Sequence, residues 1–271
     1  MSEDNEMSFL GHLEILRWHI IRSFFAILLT GLIAFLAKDF IFEYIIFGPK
    51  KSNFATYRFF CEISEILCIQ ELPFRVQSRT VSGQFSAHIW TSITAGFILS
   101  FPYVLFELWR FIKPGLHDYE KKNARGFIFV ASFLFFIGVL FGYYVVTPLS
   151  VNFLSNYTIS KEVFNDFDLN SYIGLLRASV LSSGFIFELP ILIFFLTRIG
   201  LVTPNFLQRN RKFAIVIVLS ISAIITPPDI TSQIIVTIPV LILYEISILI
   251  SKLIVKKQTQ NRNDFKGTKH S

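Results

Sequence analysis

Long apolar runs alternate with short polar segments along the chain, and this alternation predicts membrane-spanning helices. At about 1.5 Å per residue, roughly 20 apolar residues cross a hydrocarbon core about 30 Å thick. The runs lie at 20–37, 85–112, 127–148, 172–199, 213–225 and 230–253. The fifth would be only about 20 Å long as a helix. The pattern therefore predicts an all-α integral membrane protein with about six transmembrane helices, of which the last two are short.

The charged segment 111–125, FIKPGLHDYEKKNAR, separates the second run from the third and sets the predicted orientation. Short cytoplasmic loops carry an excess of Lys and Arg, so this basic segment should face the cytoplasm. Pro114 and Gly115 within it should end the incoming helix. The basic segment 201–212 then lies on the same side, and both chain termini are predicted to be cytoplasmic.

The runs and polar segments together predict one polytopic membrane domain, 1–271. Residues 1–19 show a helical apolar pattern with charged residues between, which is typical of an amphipathic segment on the cytoplasmic membrane surface. The transmembrane bundle is expected at 20–253, with an extended first outer loop at 38–84 that is long enough to be structured. Residues 254–271 should form a basic cytoplasmic tail.

The first outer loop contains an apolar-patterned stretch, 59–69, that predicts a short helix and includes both cysteines of the chain, Cys61 and Cys68. On one helix, seven residues of rise would separate these cysteines by about 10 Å. A disulfide needs Cα atoms within roughly 7 Å. The spacing therefore favours free, partly buried thiols, with a disulfide as the alternative.

Composition supports a membrane protein and argues against other classes. Hydrophobic residues make up 53% of the chain, charged residues 16%, and the mean hydropathy is +0.57. In a soluble protein, a net charge of +6 would suggest nucleic-acid binding. Here the orientation of the chain in the membrane explains the positions of the basic residues, so no nucleic-acid partner is expected. The five histidines are dispersed, and no metal-ligand spacing or phosphate loop is present. No catalytic residue, metal or cofactor is therefore expected.

Ionisable residues inside apolar runs are costly and by default indicate function. Glu107 and Arg110 are three apart on one helix and can neutralise each other. Arg177 is near the outer end of its run, so its side chain can extend until the charged group reaches the membrane–water interface. Glu188, in the middle of a run, is the best candidate for binding a polar group on a partner helix; a buried, protonated structural role is the alternative. For Glu245, near the basic tail, a structural role is favoured.

Glycines and prolines inside the runs predict local packing and breaks. Gly138 and Gly142 form a small-xxx-small pair, which permits close contact with another helix. Gly96 and Pro102 in the second run predict a kink. Pro148 is expected to end the third run.

The order of several segments resembles the TatC family, the multi-spanning core of the twin-arginine translocase. The similarity covers nearly the whole chain and includes, in order, HLEILR (12–17), FPYVLFELWRFIKPGL (101–116), FFIGVLFGYYVVTPL (135–149), GFIFELP (184–190), ITPPDITSQ (225–233) and LYEIS (243–247). The first loop, with IFGPK and YRFFC, is similar to the extended loop of some bacterial members.

The resemblance implies a non-enzymatic receptor and scaffold in protein export. It would bind twin-arginine signal peptides of folded precursor proteins and organise the small subunits TatA and TatB, driven by the proton motive force. The resemblance also implies homo- and hetero-oligomers in contact with membrane lipid, in the bacterial cytoplasmic membrane in preference to an organellar membrane. The alternative is a secondary transporter or channel for a small solute, which would be expected to show inverted internal repeats. No convincing repeat is found.

The resemblance also implies the residues of the signal-peptide site. Arginines bind carboxylates in bidentate geometry, and Glu120 matches the docking glutamate of the family. Phe111 matches the aromatic residue at that site, and Arg17 the N-terminal arginine. The family places another glutamate where this chain has Ile15, and Glu14 precedes it by one position, a rotation of about 100° on a helix. A shifted or frayed helix start would let Glu14 substitute; a site that relies on Glu120 alone is the alternative.

A second group of residues matches family positions associated with contacts to TatA and TatB: Glu188, Asp229 and Gln233. A purely structural explanation also suffices for the turn that contains Asp229. In that explanation Pro227 and Pro228 end one helix, and Asp229 caps the next.

Overall fold

The protein is built mainly from α-helices in its computed structural model, which describes residues 9–63, 72, 74–112, 124–160, 162–163, 165–226 and 230–267. The helices are α1 Phe9–Leu36, α2 Lys38–Phe40, α3 Ala55–Ile63, α4 Gly83–Ile112, α5 Ala124–Phe141, α6 Thr147–Asn156, α7 Leu169–Phe187, α8 Leu189–Arg198, α9 Pro204–Arg209, α10 Arg211–Ile225 and α11 Ile230–Gly267. A π-helical segment, Ile41–Ile46, and a 3-10 turn, Gly48–Lys50, follow α2, and a second π-helical segment, Gly142–Val146, joins α5 to α6. Strands β1 Arg75–Gln77 and β2 Asp166–Asp168 pair in a two-stranded sheet.

Five helical stretches within the described residues are long and apolar enough to cross a membrane, which confirms the predicted all-α integral membrane fold. They are Leu13–Leu36, Gly83–Phe111, Ile128–Asn156, Leu169–Arg198 and Ser232–Lys256. Helix α10 has 15 residues and is about 22 Å long, so the fifth run is short, as predicted. The prediction of a short last run is wrong, because its span has 25 residues and α11 continues into the basic tail as far as Gly267.

The first span, Leu13–Leu36, lies within helix α1, which begins at Phe9. Helix α1 runs unbroken from Phe9 through the first apolar run, because no proline interrupts it. The predicted amphipathic segment is therefore continuous with the first span from Phe9 onward, and its place on the cytoplasmic membrane surface stays a prediction.

The third run also differs from its predicted end at Pro148, since α6 continues to Asn156. The π-helical segment before α6 accommodates the proline. Pro148 has no N–H to donate to the carbonyl four residues earlier, that of Tyr144. This carbonyl instead accepts a hydrogen bond from the Thr56 hydroxyl on α3. A proline can therefore remain inside the helix because a neighbouring element satisfies the backbone group that it frees.

The first outer loop contains the predicted helix, which as α3 begins four residues earlier than expected, and Tyr57 fixes it in place. The Tyr57 hydroxyl donates to the carbonyl oxygens of Pro49, at 2.9 Å, and Pro148, at 3.1 Å. Burial raises the pKa of Tyr57, so its hydroxyl stays a proton donor. Cys61 on α3 is disulfide-bonded, so the expectation of free thiols is wrong for Cys61. That expectation assumed one helix through both cysteines; Cys68 lies outside the described residues.

The chain divides into two compact units, of which the first comprises the described residues of 1–48, 76–136 and 167–177. In this unit α1 packs along α4, and the two helices approach most closely at Gly31 and Gly96. A Cβ atom at Gly96 would lie 2.6 Å from the Gly31 Cα atom. The Thr30 hydroxyl donates to the Gly96 carbonyl oxygen at 2.8 Å. Small residues thus permit backbone contact and a hydrogen bond between the first two spans.

The second unit comprises the described residues of 49–75, 137–166 and 178–271. Here the predicted close contact of Gly138 and Gly142 is confirmed. A Cβ atom at Gly138 would lie 2.5 Å from the Ser183 carbonyl oxygen, and one at Gly142 would lie 2.6 Å from the Ser179 carbonyl oxygen. A buried cluster where α8, α9 and α11 meet consists of Ile193, Leu207, Tyr244 and Ile248.

We expect Gly96→Ala to lower the free energy of unfolding by about 1–3 kcal/mol, because the added methyl group forces α1 and α4 apart. The matched control is Gly174→Ala on α7, where an added Cβ has no neighbour within 4 Å. This control should be neutral or stabilise the protein by about 0.5–1 kcal/mol. Thermal unfolding in detergent measures both variants. Equal melting temperatures would contradict the close crossing at Gly96.

Candidate functional site

Glu107 lies at the centre of a buried polar cluster formed by α1 and α4. Its side chain is 1% exposed, and His19 Nδ1 donates to its Oε2 atom at 2.5 Å. Arg22 Nη1 lies 3.8 Å from the same oxygen, and Arg110 Nη1 lies 3.6 Å from Oε1. A carboxylate that is out of water thus has proton donors from both helices.

The predicted pairing of Glu107 with Arg110 is confirmed, but it is one part of a larger cluster. Sequence reasoning missed His19 and Arg22, which are on a different helix. The available signal was their spacing: two polar residues three apart near one end of an apolar run lie on the same face of a helix. Glu107, a carboxylate near the same end of the next run, was a candidate partner for that face.

The structure brings Phe111 next to this cluster. The Phe111 ring is half-buried, and its centroid lies 6.2 Å from that of the His19 ring, at an interplanar angle of 65°. Glu14 and Arg17 are exposed on the preceding turns of α1. The first unit therefore places three of the four predicted signal-peptide residues on two neighbouring helices. Glu120, together with Pro114 and Gly115, lies outside the described residues.

Glu188 lies at the break between α7 and α8, directly before Leu189 and Pro190 at the start of α8. Its Oε1 atom is buried and has no hydrogen-bond partner among the described residues. The Glu188 backbone carbonyl accepts from the Ile191 and Leu192 N–H groups and so begins the next helix. A buried carboxyl oxygen without a donor is what a polar group on a partner helix would satisfy.

Gln233, the second predicted partner-contact residue in the described chain, is engaged within the protein. Its Nε2 atom donates to the Leu219 carbonyl oxygen at 3.1 Å, which ties α11 to α10. Asp229, Pro227 and Pro228 lie outside the described residues.

Arg177 and Glu245, the other ionisable residues noted within the apolar runs, have local partners. The guanidinium of Arg177 lies 5.4 Å from the Trp90 ring centroid, a cation–π contact. Glu245 accepts a hydrogen bond from Arg211 at 2.8 Å, and both side chains are about half-exposed. This ion pair agrees with the structural role expected for Glu245. No group of His, Cys, Asp or Glu residues suited to a metal ion is present in the described part of the chain.

The helices and their buried polar contacts define a multi-pass helical membrane protein. A family model for the Sec-independent protein translocase protein (TatC) matches residues 11–239. The chain therefore belongs to the TatC family, and it functions in twin-arginine protein translocation. The TatC protein of Blattabacterium sp. subsp. Periplaneta americana is 44% identical over 264 residues, which cover 95% of this chain and 99% of that protein. The TatC protein of Listeria innocua is 34% identical over 257 residues, 95% of this chain and 96% of that protein.

Solved structures agree with this assignment. A crystal structure of the twin-arginine translocase receptor TatC superposes with a TM-score of 0.67 at 31% identity, and covers 90% of this chain and 99% of that one. A second crystal structure of the receptor, in the detergent DDM, superposes with a TM-score of 0.69 at 31% identity, and covers 89% of this chain and 99% of that one. The resemblance identified from the sequence motifs is thus confirmed.

We expect Glu107→Gln to destabilise the protein by about 1–3 kcal/mol, because it removes the charge that His19 and the two arginines share in a buried site. The matched control is Glu245→Gln, which breaks an ion pair that is half-exposed to solvent and should cost at most about 1 kcal/mol. Thermal unfolding of both variants in the same detergent tests this difference. A smaller loss for Glu107→Gln than for Glu245→Gln would contradict the central role of Glu107.

Proposed function

We propose that this chain is the non-enzymatic receptor and scaffold subunit of a twin-arginine translocase in the bacterial cytoplasmic membrane. It binds twin-arginine signal peptides of folded precursors and organises TatA- and TatB-type subunits for export driven by the proton motive force. Six spans, with both termini cytoplasmic, would put the docking loop on the side where precursors arrive. Family membership and the receptor named in both solved structures support this proposal. The observation that carries it is the exposure of Glu14 and Arg17 on α1, the helix that packs beside Phe111.

The charges of the first unit determine which residues can meet the arginines of a signal peptide. Glu107 is 1% exposed and already accepts from His19, so it is not available to the peptide. Of the predicted site residues, Glu120 and Glu14 are the carboxylates proposed for bidentate contacts with the two guanidinium groups. Phe111 adds an aromatic face for a cation–π contact, and Arg17 can donate to peptide carbonyl oxygens.

Glu14 lies one position before the family's glutamate position, and this displacement affects how much Glu14 contributes to signal-peptide binding relative to Glu120. Helix α1 is regular from Phe9 through Glu14, so a frayed helix start is absent from the described residues. The carboxylate therefore keeps its rotation of about 100° from position 15. We infer that Glu120 supplies the main docking contact and that Glu14 supplies a second, weaker one.

The partner-contact site is proposed at Glu188, supported by the buried Oε1 atom that has no donor within the described chain. A polar side chain on a small partner subunit would supply that donor. Asp229 and Gln233 belong to the same proposed group. The Gln233 amide already bonds to Leu219, so its contribution to the partner would be through its carbonyl oxygen.

Docking should weaken most in Glu120→Gln, by roughly 10- to 100-fold in affinity, because a charge-assisted bidentate contact is lost. Glu14→Gln should weaken it less, and Glu62→Gln on the exposed face of α3 should have no effect. The measurement is photo-crosslinking from a probe beside the arginine pair of a signal peptide, with a Lys-Lys peptide as the substrate control. An unchanged adduct yield in Glu120→Gln would refute the assignment of the docking carboxylate.

The variant Glu188→Leu tests whether Glu188 contacts a partner subunit or has a structural role. The Glu188 Oε1 atom is buried without a donor in the described chain, so replacement by an apolar side chain should leave the isolated protein as stable as before or more stable. Copurification of the small subunits should fall, whereas Glu188→Gln, which keeps an acceptor oxygen, should retain part of it. Loss of stability with intact copurification would show that Glu188 serves the fold alone.

A further inference from the structure

His19 joins the buried Glu107 cluster to the aromatic residue of the proposed docking site. Its Nδ1 atom bonds to Glu107, and the centroid of its ring lies 6.2 Å from that of Phe111 at an interplanar angle of 65°. The His19 side chain is 12% exposed. One imidazole on α1 therefore contacts two residues of α4, one charged and one aromatic.

The positions on α4 explain why a single ring reaches both residues. Glu107 and Phe111 are four apart, so their side chains lie one above the other on the same helix face. The imidazole of His19 packs against that face. Its hydrogen bond to the carboxylate restricts rotation of the ring, and the restricted ring presents itself to Phe111 in the edge-to-face arrangement that aromatic pairs prefer.

The contact with Phe111 is not needed to hold α1 and α4 together. Gly31 and Gly96 already bring the two backbones into contact, and Thr30 already donates a hydrogen bond to α4. Phe111 lies next to the last residue of α4, and the His19 ring is a neighbour that contacts it across the two helices.

We propose that His19 is a positioning residue for the signal-peptide site: held by Glu107, it fixes the orientation of the Phe111 ring that meets the signal peptide. This inference rests on the proposed receptor function. A preoriented ring binds more tightly because its rotamer freedom is already lost before the peptide arrives. The effect of His19 on binding should therefore pass through Phe111 and vanish when the Phe111 ring is absent.

The test is a double-mutant cycle on the affinity of a fluorescent Arg-Arg signal peptide for the full-length protein in lipid nanodiscs. His19→Gln keeps an N–H donor for Glu107 and removes only the aromatic ring. It should weaken binding roughly 2- to 10-fold, the equivalent of one aromatic pair. Phe111→Leu should weaken binding at least as much, and the double variant should bind no more weakly than Phe111→Leu alone.

The matched control removes a different hydrogen bond between α1 and α4. Thr30→Val deletes the hydrogen bond to the Gly96 carbonyl. It should lower the melting temperature and leave peptide affinity unchanged. If Thr30→Val weakens binding as much as His19→Gln does, the role of His19 is structural and the proposal is overturned.

The remaining outcomes separate this proposal from the receptor function on which it rests. Unchanged affinity in His19→Gln, or independent, multiplicative losses in the double variant, would overturn the positioning role while Glu120→Gln and Phe111→Leu still weaken docking. Unchanged affinity in Glu120→Gln and Phe111→Leu as well would overturn the docking site itself. A loss in His19→Gln that disappears in the Phe111→Leu background supports the proposal.

Discussion

A carboxylate buried in a membrane span requires proton donors, and Glu107 imposes this requirement on the first unit. Its Oε2 atom accepts from His19 on α1, and two arginines approach it from α1 and α4. Removal of a charge from water costs several kcal/mol or more unless donors replace the water. The rotation of α1 about its own axis is therefore constrained, because only one face of that helix carries both His19 and Arg22. The same rotation places Glu14 and Arg17 relative to Phe111.

Polar backbone groups in the second unit also need partners, because an unpaired carbonyl group in lipid costs several kcal/mol. Pro148 frees the Tyr144 carbonyl, and Thr56 from the first outer loop satisfies it. Tyr57 bonds to the Pro148 carbonyl as well. Helix α3 is thus bound by two hydrogen bonds to the span Ile128–Asn156. Glu188 departs from the rule, since its Oε1 atom lacks a donor in the described chain.

Patterns local in the chain predicted much of the fold and part of the site. Gly138 and Gly142 indicated close helix packing because a missing side chain is visible in the sequence itself. Glu107 and Arg110 indicated a pair because they are three apart. Long-range partners escaped prediction: His19 lies 88 residues from Glu107. The predicted helix end at Pro148 was also wrong, because the Thr56 hydroxyl on another helix takes the role of the missing proline N–H and bonds to the freed Tyr144 carbonyl.

The sequence by itself determined the class of protein, the apolar runs that form its spans, the short fifth run and the motifs of the TatC family. These features depend on composition and on residues a few positions apart, where helical geometry alone sets the distance. The packing of the helices, in contrast, was needed to show which donors surround Glu107, that the imidazole of His19 contacts Phe111, and that Glu188 Oε1 has no donor among the described residues. Each of these depends on how helices far apart in the chain pack together, and side-chain spacing within one helix cannot specify that packing.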